Sequence, residues 1–203
     1  MRQPKIRAEQ KAATRHRLID SAQLLFADKG YRRTTLEEIA AHAGLHVQTL
    51  YRHFANKEEL AVACDAEWLD RFGEAVRNRK GDLTTFDFWA SFVAESAARV
   101  TQADGGQQYR ETKRERGNQF DVGVALGYEK LLAESLEKEF PQPDDGPVPP
   151  ITRLAAIALW GANVFVVRRY AADGDFDLGV EAVAAARKVE SIFLPLLVAA
   201  SKS

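Results

Sequence analysis

Cysteine is almost missing from this sequence: its 203 residues contain one, Cys64. A single thiol excludes an intramolecular disulfide and fits a reducing compartment, so a cytoplasmic location is expected. Long apolar runs are lacking too. No stretch reaches the roughly 18 uncharged apolar residues of a membrane span. The longest candidate, Leu154 to Val167, is interrupted by Gly161 and Asn163, so no membrane partner is expected. The basic start MRQPKIRAEQKAATRHR has no apolar segment behind it and does not read as a secretory signal. Strand alternation and internal repeats are absent. So are a nucleophile motif, a glycine-rich phosphate loop and metal-ligand spacing, which argues against an enzyme and against any cofactor. His42 and His46 stand four apart, as a helical metal pair would, but Gly44 lies in a turn between them and they share no helical face.

What is present is ordinary in bulk and uneven in detail. Apolar residues make up 46% and charged residues 28%, a globular composition. The net charge of −1 conceals a basic head. Residues 1–58 hold eleven Lys/Arg against six Asp/Glu, while the remainder holds seventeen against twenty-three. All four histidines also lie in the head. A basic head on an acidic body points to a polyanionic partner, although a solvated charged face gives the same bias.

Apolar spacing predicts an all-α chain of about nine helices. Residues 1–10, with Pro4, read as a flexible arm. A helix from Lys11 to Lys29 carries Leu18, Ile19, Ala22, Leu25 and Phe26 and stops at Gly30. Thr35 and Glu38 form a capping box for a short helix that ends near Gly44. A second short helix covers His46 to Phe54. A longer one, Lys57 to Lys80, follows Asn56 with Leu60, Cys64, Trp68, Phe72 and Val76 in line. Further helices are expected over Thr85–Val100, Gln107–Arg116, Asn118–Phe140, Ile151–Ala172 and from Asp177 to about Ala200. A loop is expected at Pro141–Pro150, where five of the chain's seven prolines fall. The uncharged helix Leu154–Val167 reads as buried on all sides.

The informative stretch is Thr34 to Leu60, TTLEEIAAHAGLHVQTLYRHFANKEEL. Two short helices meet at a tight turn, Ala43-Gly44-Leu45, where glycine suits a backbone conformation costly to other residues. The second helix offers Val47, Gln48, Thr49, Tyr51, Arg52 and His53, a set rich in hydrogen-bonding groups. That is the form of a helix-turn-helix with a recognition helix for the DNA major groove. The stretch closely resembles the tetracycline-repressor (TetR/AcrR) family of transcriptional regulators. The likeness rests on G-Y-x-x-T-T at Gly30–Thr35, I-A at Ile39–Ala40, A-G-L at Ala43–Leu45, T-L-Y-R-H-F at Thr49–Phe54 and N-K-E-E-L at Asn56–Leu60. Two positions depart from the pattern: His46 replaces the usual Ser or Thr cap, and Ala55 a frequent Pro.

The resemblance implies a DNA-binding helix-turn-helix domain at residues 1–58 and a ligand-binding, dimerising helical domain at 59–203. It implies base contacts from Val47, Gln48 and Thr49, with Gln48 suited to adenine and the methyls to thymine. Phosphate contacts would come from Thr35, Tyr51, His53 and Lys57, and arm contacts from Arg2, Lys5 and Arg7. It further implies a homodimer on double-stranded DNA through helices at about 151–170 and 178–200. An unknown small-molecule effector would occupy a pocket drawn from Trp89, Phe92, Phe120, Tyr128, Trp160 and Phe165. Arg168 or Arg169 either completes a helix end or meets an anionic group of that effector. A sequence-specific, ligand-responsive repressor is therefore expected, with a DNA-organising protein of the same fold as the alternative.

Overall fold

The computed structural model describes residues 3–102, 106–116, 122–141 and 149–202, residues 3–6 through their backbone alone. Among them the chain is all-α, with nine helices and no strand: α1 (Gln3–Lys29), α2 (Leu36–His42), α3 (Val47–Tyr51), α4 (Lys57–Arg77), α5 (Thr85–Thr101), α6 (Gln107–Glu115), α7 (Val122–Glu139), α8 (Ile151–Ala172) and α9 (Leu178–Ala200). The expected breaks at Asp104–Gly105 and Gln142–Val148, and the helix start at Asn118, lie outside the described residues.

Local chemistry explains four of the helix starts. The Thr35 hydroxyl accepts from the Glu38 N–H at 3.2 Å, and the Glu38 carboxylate accepts from the Thr35 N–H at 3.0 Å. Asn56, Thr84 and Asp177 cap α4, α5 and α9 through side-chain oxygens that accept from the third residue on. The expected flexible arm is a correction, since residues 3–10 continue α1. Pro4 sits in the first turn, where its missing N–H is harmless, and the residues after it, KIRAEQKAA, include strong helix formers.

Two apolar cores form, and α4 serves both. Leu18, Ile19, Ala22 and Phe26 of α1 close on Ile39, Ala40, Leu50 and Phe54, with Leu60, Ala61 and Cys64 of α4. Further along α4, Phe72 enters a larger core with Phe86, Trp89, Leu132, Leu136, Leu159 and Tyr170. The body is a bundle in which α8 packs on α7, α9 and α6, and α5 on α9.

α8 departs from expectation in two ways. By length and hydropathy it is one helix long and apolar enough to cross a membrane, because the sequence windows reach past Leu154 and Val167. It is also not buried all round. Ala155, Ala156, Leu159 and Trp160 are buried in the bundle, while Leu154, Ile157, Gly161 and Phe165 lie exposed at intervals of three and four. One helical face is thus core and the opposite face is an apolar surface.

Candidate nucleic-acid interface and ligand cavity

The turn between α2 and α3 is built by backbone geometry. Gly44 has φ +64, and its N–H donates to Ala41 O at 2.9 Å while Leu45 N–H donates to Ala40 O at 2.8 Å. This pair of bonds is the Schellman arrangement, which needs a left-handed residue after the helix. The Arg17 guanidinium donates to Ala43 O and ties α1 to the same turn. α3 then points Leu50 into the core and leaves Gln48, Tyr51 and Arg52 exposed, with Val47, Thr49 and His53 half-buried. Val47 packs against the head core. His46 precedes α3 with extended backbone and makes no side-chain cap bond.

Around this helix the expected phosphate contacts fall differently. Tyr51 is half-exposed and outward. His53 lies beside α1, where burial first, and then Lys11 and Arg15, hold its imidazole below the ordinary histidine range. Arg15, whose guanidinium lies 5.1 Å from the Phe54 ring centroid, is an exposed cation at this surface that sequence spacing did not single out. The Thr35 N–H is committed to Glu38, which leaves its hydroxyl proton to donate outward. Lys57, expected at a phosphate, is engaged within the head in this DNA-free structure. Its ammonium donates to Tyr31 O at 2.9 Å, Thr34 O at 3.1 Å and Arg32 O at 3.4 Å, and lies 4.5 Å from the Tyr31 ring centroid. These carbonyls belong to the segment between α1 and α2, and the ammonium is their donor. Of the arm, Arg7 is exposed on α1, whereas Arg2 and the Lys5 side chain lie outside the described residues.

α6 braces head against body. Glu115 accepts from Arg32 N–H at 2.7 Å, and the Thr112 hydroxyl donates to Phe26 O at 3.3 Å. Arg116, just past α6, grips both Asp65 oxygens of α4 at 2.7 and 3.3 Å and lies 5.9 Å from the Tyr31 ring centroid. Arg114 donates to Ala171 O, and Arg110 to the Tyr170 hydroxyl at 2.9 Å, which fixes the other side of α6 to α8.

Beneath α6 lies a cavity of about 380 Å³. Trp89, Phe92, Tyr128 and Trp160 line it from α5, α7 and α8, while α1, α4 and α6 contribute Phe26, Trp68, Asp65, Tyr109, Lys113 and Arg116. A second pocket between α4 and α5 shares Trp68, Phe92, Ser96 and Arg99 with the cavity. Phe165, expected in the pocket, is 61% exposed on the outer face of α8, because the helix turns its alanines and Trp160 inward. Phe120 lies outside the described residues. Arg168 and Arg169 are exposed and do not line the cavity; Arg169 reaches Glu181 at 3.6 Å. Sequence reasoning missed Asp65, Lys113 and Arg116, whose partnership spans about fifty residues and has no local spacing to betray it. Cys64 also borders the cavity, and burial pushes its thiol up to about 12, so it is held as the unreactive thiol.

A family model described as bacterial regulatory proteins, tetR family, matches residues 18–64, the stretch that builds the first core. The head of the chain belongs to the tetR family. A relative, the HTH-type transcriptional repressor KstR2 of Mycobacterium tuberculosis, is 36% identical over 93 residues, covering 43% of this chain and 46% of the relative. The chain thus spans less than half the length of the curated relatives it matches first. The tetR fold extends through the body. The structure of SmeT, repressor of the Stenotrophomonas maltophilia efflux pump SmeDEF, matches with a TM-score of 0.61 at 20% identity over 88% of this chain and 89% of SmeT. FadR from Bacillus subtilis, solved in complex with stearoyl-CoA, matches with a TM-score of 0.61 at 19% identity over 86% and 96%. At such identities these two likenesses establish the fold alone.

Proposed function

We propose that this chain is a ligand-responsive transcriptional repressor that binds a near-palindromic operator as a homodimer. Residues 1–58 act as the DNA-binding unit and 59–203 as the ligand-binding and dimerising unit. The observation that carries the reading is the shared wall of the cavity. Gln23, Phe26 and Ala27 of the head helix α1 line the same space as the aromatic residues of the body, so whatever fills the cavity touches the DNA-binding unit directly.

Gln48 reads an adenine edge, and the Val47 and Thr49 methyls meet thymine. Tyr51, His53, the Thr35 hydroxyl and Arg15 hold phosphates, which fixes register without reading sequence. Arg7 lends a further cation from the first turns of α1. A single α3 of five residues offers too few base contacts for useful specificity, and two copies related by a two-fold axis double them. The exposed apolar stripe on α8, with Ile192 and Leu196 on α9, pairs with its mate as a four-helix bundle. Gly161 leaves open space where a side chain would stand, which lets the two α8 helices approach closely. Ligand entry shifts α4 and α6 against α1, changes the distance between the two α3 helices and weakens operator binding. The named repressor among the relatives and the ligand-bound neighbour support this reading.

Selection of genomic fragments by the purified protein tests it, followed by titration at several salt concentrations with Tyr51→Ala as comparison. A few near-palindromic sites, steep salt dependence and weaker binding by the variant are expected. Absence of sequence preference, or equal binding by the variant, overturns the assignment of α3 and returns the DNA-organising alternative.

A further inference from the structure

The cavity has two chemically distinct walls. On one side flat rings dominate. Tyr128 and Trp160 lie parallel, 10° apart with centroids at 4.3 Å, and Trp89 and Phe92 stack at 6.1 Å. From the end of α6 two cations converge on one carboxylate of α4. Arg116 meets Asp65 at 2.7 Å and the Lys113 ammonium stands 3.8 Å from the other Asp65 oxygen, with Tyr109 5.5 Å beneath it. Their side chains are 14% and 11% exposed.

We propose that the cavity takes a flat aromatic monoanion, with its rings against Trp89, Phe92, Tyr128 and Trp160 and its carboxylate at Lys113 and Arg116. The proposal rests on the ligand-sensing reading above and names the ligand class. Planar ring faces favour a planar guest, which gains offset stacking beyond simple burial. At the polar wall Asp65 already spends both oxygens on Arg116. Burial, the largest influence, and the neighbouring Arg116 both push the Lys113 ammonium below its ordinary range, and Asp65 opposes them. A guest carboxylate that touches both cations adds charge-assisted hydrogen bonds and screens their mutual repulsion. A cationic guest would meet Lys113 and Arg116 as like charges, and a neutral one would leave that gain unused. Cavity size suits a molecule of one or two fused rings.

The three tryptophans of the chain, Trp68, Trp89 and Trp160, all line this cavity, so their fluorescence reports occupancy. The protein is titrated with 2-naphthoate, with the neutral 2-naphthamide and with the 2-naphthyltrimethylammonium cation. Naphthoate is expected to bind about tenfold or more tighter than the amide, as hydrogen bonds to charged groups allow. In Lys113→Met that preference collapses while naphthamide binding persists, which shows an intact cavity; Lys113→Arg retains it. Equal or tighter binding of the amide or the cation, or no binding of any probe, overturns the proposal. Operator selection by the same protein stands apart from these titrations. Selected palindromic sites alongside absent probe binding remove only the ligand class, whereas lost sequence preference removes the regulatory reading itself.

Discussion

His46 stands where α3 needs a side-chain acceptor and offers none, so the first N–H groups of that helix lack their usual intrachain cap. His46→Ser supplies the hydroxyl and is expected to stabilise the head by about 0.5–1 kcal/mol. Thermal unfolding would then shift upward by about 2 °C in a chain of this size, and an unchanged or lower midpoint would count against the cap argument. His53 poses a different question at the same scale. Its imidazole is depressed by burial and by Lys11 and Arg15, so it is neutral at pH 7. A folded pKa below the unfolded value means the neutral form is favoured by folding. That contribution to stability is present above the unfolded pKa of about 6.5 and is lost as pH falls. DNA acts in the opposite direction, because a phosphate beside the ring favours its charged form. Proton uptake on binding makes operator affinity rise as pH drops from 8 to 6, and His53→Gln flattens that dependence. Equal pH profiles for the two proteins would remove His53 from the phosphate contacts.

Among elements, α6 is the strut that ties head to body. It holds Arg32, Phe26 and Tyr31 of the head on one side and Tyr170 and Ala171 of α8 on the other. Arg116→Met cuts its bidentate tie to Asp65 of α4. The side chains are mostly buried, but Lys113 remains near the stranded carboxylate, so the expected cost is about 2 kcal/mol, below that of a fully buried pair. Operator affinity of the folded variant should persist while its response to an effector weakens. An undiminished response would show that coupling runs elsewhere. The helices themselves were legible because their signals are local. Thr35 with Glu38, Asn56 and Asp177 announce starts, Gly30 and Gly44 announce stops, and apolar spacing fills the interior. Four features escaped for definite reasons. The first turns of α1 follow propensity, with no apolar stripe to mark them. The outward turn of Phe165 depends on which face of the uncharged stretch Leu154–Val167 meets α7 and α9, and apolar residues lie on both faces. The wall of Asp65, Lys113 and Arg116 is assembled from α4 and α6 by tertiary packing, as is the use of the Lys57 ammonium inside the head.

For the whole molecule, the question is what covers the outer face of α8 and α9. Leu154, Ile157 and Phe165 are 38%, 44% and 61% exposed, and Ile192 and Leu196 53% and 48%. A contiguous apolar face of this kind marks an association site in a folded chain. If a second copy covers it, a charge placed there has no water and no partner across the two-fold axis, and each protomer repeats the fault. Phe165→Glu is therefore expected to yield a monomer by light scattering at concentrations where the parent chain is a dimer. The core residues on the other face of α8 are untouched, so helical content should hold. Operator binding should fall far more than any loss of a base contact explains, since both half-sites must be engaged at once for full affinity. Val122 provides the comparison: it is 71% exposed at the start of α7, on neither α8 nor α9, and Val122→Glu adds the same charge at another apolar site. Dimer and operator affinity should survive in Val122→Glu and fail in Phe165→Glu. Equal behaviour of the two variants would mean that the α8 and α9 face is not where the copies meet.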